Sequence, residues 1–155
     1  MATLTSLLVT LAIFGAQPHP DLSGTWMVVG DRSVTKDQNG RFVNARTLGE
    51  MFVVKQAGDD LRIVLENGNG VEWRHRLDGV ETVSETPGPT GRTFRTASRA
   101  TWEGSRLTIT TWLADNPDTT RTALVLTLLS NGTLRVEAGP EGTPMMTAIY
   151  GRVYP

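Results

Sequence analysis

The side chains able to do chemistry are few in this chain, and they gather around one imidazole. Its 155 residues include two histidines and no cysteine. His75 stands in the run Val71, Trp73, His75 and Leu77, which alternates with Glu72, Arg74 and Arg76. On a strand it therefore shares a face with apolar neighbours. Ser98 keeps the same kind of company, in register with Phe94, Thr96, Ala100 and Trp102. A serine hydroxyl facing a histidine is the minimum for nucleophilic catalysis, with the imidazole taking the proton. No Gly-x-Ser-x-Gly elbow surrounds Ser98, and the ordinary role of a serine on such a strand is a small polar filler. No residue is assigned a catalytic role, and the chain is read as a non-enzyme.

Metal and cofactor chemistry has less to build on. Haem-binding barrels use a single interior histidine, which His75 can supply; the ordinary alternative is a hydrogen-bonded interior imidazole. Other metals need three or four convergent ligands, and the second histidine, His19, stands in the N-terminal lead. No metal or cofactor is expected. Asp59-Asp60 and Asp115 with Asp118 fall in turns, where short acidic side chains accept backbone hydrogen bonds. Asp37-Gln38-Asn39-Gly40 lacks the later glutamate of a calcium loop. Arg74, Arg76, Arg95 and Arg99 alternate outward and are expected to pair with Glu72, Glu81 or Glu103, as exposed pairs worth about 0–1 kcal/mol each. With a net charge of −1 and a pI near 6.1 there is no basic footprint for nucleic acid. Asn131-Gly132-Thr133 matches a glycosylation sequon, but Asn-Gly first signals a tight hairpin turn.

The elements that must position these groups are strands. Leu61, Ile63 and Leu65 alternate with polar or outward positions and run into Asn67-Gly68-Asn69-Gly70; the strand holding His75 follows. Glu103-Gly104 joins the Ser98 strand to Arg106–Trp112, and Asn131-Gly132 joins Thr120–Leu129 to Thr133–Ala138. Leu22–Val29, Met51–Gln56 and Met145–Tyr154 complete a meander of about eight main strands, with a short extra one around Val80–Ser84. No interior window carries helical periodicity between caps, and Gly30–Gly49 reads as a long polar loop. A meander joined by short turns satisfies its edges best by closing on itself, which predicts an all-β, antiparallel up-and-down barrel. A two-sheet β-sandwich is the alternative.

The chain length suits one domain. Residues 1–16 hold no charge and an apolar run, Leu7 to Phe14, too short to span a bilayer and followed by Gly15-Ala16. They are expected to be a signal peptide preceding a single domain over 17–155, which makes the mature protein secreted or periplasmic, with no membrane association after cleavage. With no cysteine there is neither a disulfide framework nor a lipid-anchoring thiol.

Asp21-Leu22-Ser23-Gly24-Thr25-Trp26 on the first strand, the meander and the leader together resemble the calycin group: lipocalins, fatty-acid-binding proteins and avidins. The chain is most similar to small secreted bacterial lipocalin-like domains that open Asp-Leu-Ser-Gly-Thr-Trp and carry Ser-Arg-Ala-Thr-Trp-Glu-Gly-Ser-Arg-Leu, here Ser98 to Leu107. The lipocalin Thr-Asp-Tyr motif is absent. The resemblance implies that Trp26, admitted by Gly24, plugs one end of the barrel against Arg152 in a cation–π contact of about 1 kcal/mol. The inward set is then Trp26, Phe52, Val54, Leu61, Ile63, Leu65, Trp73, His75, Phe94, Trp102, Leu107, Ile109, Leu124, Leu126, Leu134, Val136, Ile149 and Val153, with Thr96, Ser98 and Thr111 among them. Such an interior describes either a pocket for a small hydrophobic or amphipathic ligand, held by Trp73, His75, Phe94, Ser98 and Trp102, or a filled barrel that acts through its surface. Oligomeric state is left open.

Overall fold

The computed structural model describes residues 19–29, 35–36, 42–43, 48–66, 71–87 and 91–154. The expected signal peptide and most of the Gly30–Gly49 segment lie outside these residues. Ten antiparallel strands form one sheet, helix-free among the described residues: β1 (Gly24–Val28), β4 (Met51–Ala57), β5 (Asp60–Leu65), β6 (Glu72–Arg76), β7 (Thr82–Pro87), β8 (Thr93–Glu103), β9 (Arg106–Leu113), β10 (Thr122–Leu128), β11 (Leu134–Pro140) and β12 (Met146–Val153). A separate two-stranded ribbon, β2 (Thr35–Lys36) with β3 (Phe42–Val43), falls between β1 and β4 in the sequence. The order β6-β5-β4-β1-β12-β11-β10-β9-β8-β7 is an up-and-down meander with β1 brought against β12. The count is ten rather than about eight, because the nine runs named from the sequence each form a strand and the short Val80–Ser84 signal becomes a full one, β7. A barrel forms, not the alternative sandwich.

Closure is incomplete at one seam. Nine ladders join the ten strands, and β6 and β7, the two ends of the sheet, share none. They still come together at one level, where the Arg76 amide donates to the Thr82 hydroxyl at 3.2 Å. The barrel is therefore nearly closed, with a cleft where a further ladder would run.

Period two sorts the side chains. Phe52 and Val54 on β4, Leu61 and Ile63 on β5, Leu107 and Ile109 on β9 and Leu134 and Val136 on β11 all point into one buried core. The last strand departs from expectation. Ala148 and Tyr150 are its buried residues, whereas Ile149 is half-buried and Val153 is exposed. A one-residue change of parity moves every side chain of a strand to the other face, and Trp26 opposite Arg152 sets that parity here.

Trp26, 0% exposed, fills the end of the barrel where β1 begins. Its indole nitrogen donates to the Leu22 carbonyl at 2.9 Å, and the Arg152 guanidinium carbon lies 4.8 Å from its ring centroid. Arg152 also donates to the Asp21 carbonyl at 3.0 Å. Gly24 has φ 136°, a backbone conformation that favours glycine, and a Cβ there would meet the Arg152 side chain only at an ordinary contact distance of 3.6 Å. The lead into β1 crosses this end as a cap. Leu22 is buried, its amide donating to Gln56 Oε1, and His19 stacks on Trp102 with ring centroids 4.9 Å apart and planes 6° from parallel. His19 is thus part of the closed end rather than of a loose lead.

Candidate functional site

At the opposite end the interior is hollow. The strands that begin there (β6, β8, β10 and β12) and those that finish there (β7, β9 and β11) surround a cavity of about 450 Å³. The β1 and β4 side of the interior is packed shut: Leu48 is buried, Phe52, the register partner of Trp26, meets Tyr150 edge-on at 4.8 Å, and the Tyr150 hydroxyl donates to the Gly49 carbonyl at 2.9 Å. The void is therefore displaced toward the seam between β6 and β7. A fully filled barrel is not what the chain builds.

Two chemically different walls face each other. Ile109 of β9, Leu124 of β10, Ala138 of β11 and Met146 of β12 make one apolar. The other carries Trp73 and His75 of β6, Ser84 of β7 and Thr96 and Ser98 of β8; Thr111 and Thr122 place two further hydroxyls on β9 and β10, the strands of the apolar wall. Glu72 and Arg74 of β6 and Glu85 of β7 also line the space, beside the seam. Arg74 Nε donates to Glu72 Oε1 at 2.6 Å.

His75 Nδ1 and Ser98 Oγ share a hydrogen bond at 2.9 Å. This bond crosses the seam from β6 to β8, beside the Arg76–Thr82 contact, so it helps hold together edges that no backbone ladder joins. His75 is 9% exposed, and burial pushes its pKa down to about 4. A neutral imidazole at pH 7 is a hydrogen-bonding group and a weak base, far from the near-neutral value that suits general-base catalysis. Its other ring nitrogen, Nε2, which a carboxylate would have to hold to complete a triad, has no hydrogen-bond partner among the described residues. The pair has the distance of a catalytic dyad without the tuning, and its geometry fits a clasp that also lines the cavity. Among the described residues no group of three or more His, Asp or Glu side chains is placed to hold a metal.

Three of the five residues expected to contact a ligand, Trp73, His75 and Ser98, stand together in the cavity wall. Phe94 and Trp102 lie on the same strand, β8, but do not line it. Strands rise about 3.3 Å per residue, so an eleven-residue strand overshoots the cavity at both ends. Phe94 sits at the open rim, 46% exposed, and Trp102 at the closed end under His19. Phe94 belongs to a set of exposed apolar residues around the open end that includes Val29, Val71, Leu113 and Met145. The inward set read from the sequence already held Leu124, Ile109, Thr96 and Thr111, but not Ser84, Ala138 or Met146. Ser84 was legible from strand alternation; Met146 was hidden by the parity of β12. Among the outward arginines, Arg74 pairs with Glu72 as expected, whereas Arg76 pairs with Asp78 and Arg95 with Asp115 at 3.0 Å rather than with Glu81 or Glu103.

An up-and-down antiparallel barrel, plugged by an aromatic at one end and hollow at the other, is a calycin-type fold. Among solved structures the chain is similar to a point mutant of the fluorescent protein UnaG. The TM-score is 0.55 at 16% sequence identity, over 86% of this chain and 97% of that one. At that identity the likeness concerns the fold alone. No protein-family model matches the chain, and no curated protein matches it.

Proposed function

We propose that this protein is an exported, non-enzymatic carrier or sensor barrel that takes one small hydrophobic or amphipathic ligand into the cavity between β6 and β12. The observation that carries the reading is the void itself. About 450 Å³ of interior, walled by apolar side chains on one side and hydroxyls on the other, lies within the range of small-molecule sites. A filled structural barrel has no use for such a space, since an unfilled core of this size forfeits packing energy. The plug of Trp26 and Arg152 supports the closed end and takes no part in binding. The apolar leader supports export.

The test is a titration of the protein with retinol, long-chain alcohols, fatty acids and haem, followed by tryptophan emission. Trp73 lies in the cavity wall, so an absorbing occupant should quench it. Saturable, one-to-one quenching by at least one probe is the expected result. No saturable response to any of them would return the chain to the class of surface-acting modules.

A further inference from the structure

We infer that the cavity selects an uncharged ligand, an apolar body with one hydroxyl, carbonyl or amide group turned toward β7 and β8, and discriminates against carboxylates. This rests on the binding reading above and narrows it. The polar wall offers Ser84, Thr96 and Ser98, whose hydroxyls donate and accept without formal charge. Beyond the bond to His75, the Ser98 hydroxyl keeps a further lone pair for a ligand donor. The imidazole beside it is neutral, because burial holds its pKa at about 4.

Charge enters the lining beside the seam. Arg74 is the single cation among the described lining residues, and its Nε is already engaged by Glu72. Glu85 lines the same space and is exposed. Arg62 lies 3.7 Å from Glu72, and Glu85 stands opposite Arg95 on β8, itself bonded to Asp115, so these cations are held by carboxylates outside the cavity. A ligand carboxylate turned toward β7 and β8 would meet hydroxyls in place of a cation. Burying an anion without a partner is strongly unfavourable, whereas an uncharged hydroxyl is fully served by this wall. The same skeleton with an alcohol in place of an acid should therefore bind better.

Retinol and retinoate share one polyene and differ at this group, so they make the comparison. At about pH 7.5 the expected result is retinol binding roughly tenfold tighter or more. Glu85→Gln, a change at an exposed side chain of the lining, should narrow the retinol-to-retinoate affinity ratio about two- to fivefold at low salt. Retinoate binding as tightly as retinol, or a Glu85→Gln variant with an unaltered ratio, would overturn the selectivity and leave the binding barrel standing. Failure of both probes and of the wider panel would remove the binding function and this inference with it.

Discussion

Lowering the pH from about 7.5 to about 5 should weaken the fold mainly through His75. In the folded protein its pKa is held at about 4 by burial, against an ordinary 6.5. The unfolded chain therefore takes up the proton more readily than the folded one. Stability is complete above the unfolded value and falls as the pH drops through 6.5 toward 4. Linkage puts the loss at about 2 kcal/mol by pH 5 and about 3 kcal/mol by pH 4. Three carboxylates are shifted down by hydrogen bonds: Asp21 by Ser23, Glu72 by Arg74 and Asp78 by Arg76. Their contributions are lost as the pH falls through and below ordinary values of 3.8 to 4.5, beneath the window that belongs to His75. Urea unfolding of the wild type and of His75→Gln at both pH values isolates the effect, because glutamine keeps a hydrogen-bonding partner for Ser98 and does not titrate. The wild type should lose about 2 kcal/mol more than the variant between the two pH values. Parallel losses within about 0.5 kcal/mol would show that His75 titrates normally, and the neutral, buried clasp across the β6–β7 seam would be refuted.

The closed end yields three further expectations. Trp26→Ala should cost about 3–5 kcal/mol in denaturant unfolding through the void it leaves, with ligand affinity changed less than about twofold, since the plug and the cavity occupy opposite ends. Arg152→Met should cost about 1–2 kcal/mol, combining the lost cation–π contact with the lost bond to the Asp21 carbonyl; an unchanged melting temperature would contradict it. His19→Ala should cost about 0.5–1.5 kcal/mol and red-shift part of the tryptophan emission as Trp102 loses its stacked cover. An emission spectrum identical to wild type would place His19 away from Trp102 in solution.

Strand alternation made most of the barrel legible, because a strand with one wet face must repeat every two residues. His75, Ser98 and Trp73 were found this way and do stand together. The last strand shows where the rule fails. Ile149 and Val153 outrank Ala148 in hydrophobicity, so composition alone chooses the wrong face. The corrective signal was present, since Arg152 opposite Trp26 requires even-numbered positions to face inward. Phe94 and Trp102 mark a second limit: alternation assigns a face, but not whether a position lies beside the cavity, above it or below it. The cavity itself was not legible. It exists because Leu48, Phe52 and Tyr150 fill the β1 and β4 side of the interior, while the β7 and β8 stretch beside the cavity offers the small side chains of Ser84, Thr96 and Ser98. That is a property of volumes summed across strands far apart in sequence. The bond between His75 and Ser98 likewise depends on how far the β6–β7 seam opens, which no local pattern encodes.

The central claim, that the hollow half of the barrel is a ligand site, is tested most directly by filling it. Ala138 lies in the apolar wall and is buried, so Ala138→Phe places a ring in the void without touching the plug or the seam. Retinol binding measured by tryptophan quenching should be saturable and one-to-one in the wild type. In the variant it should fall about tenfold or more, with circular dichroism and melting temperature held within a few degrees. Equal retinol affinity in the two proteins, with the variant folded, would contradict the account.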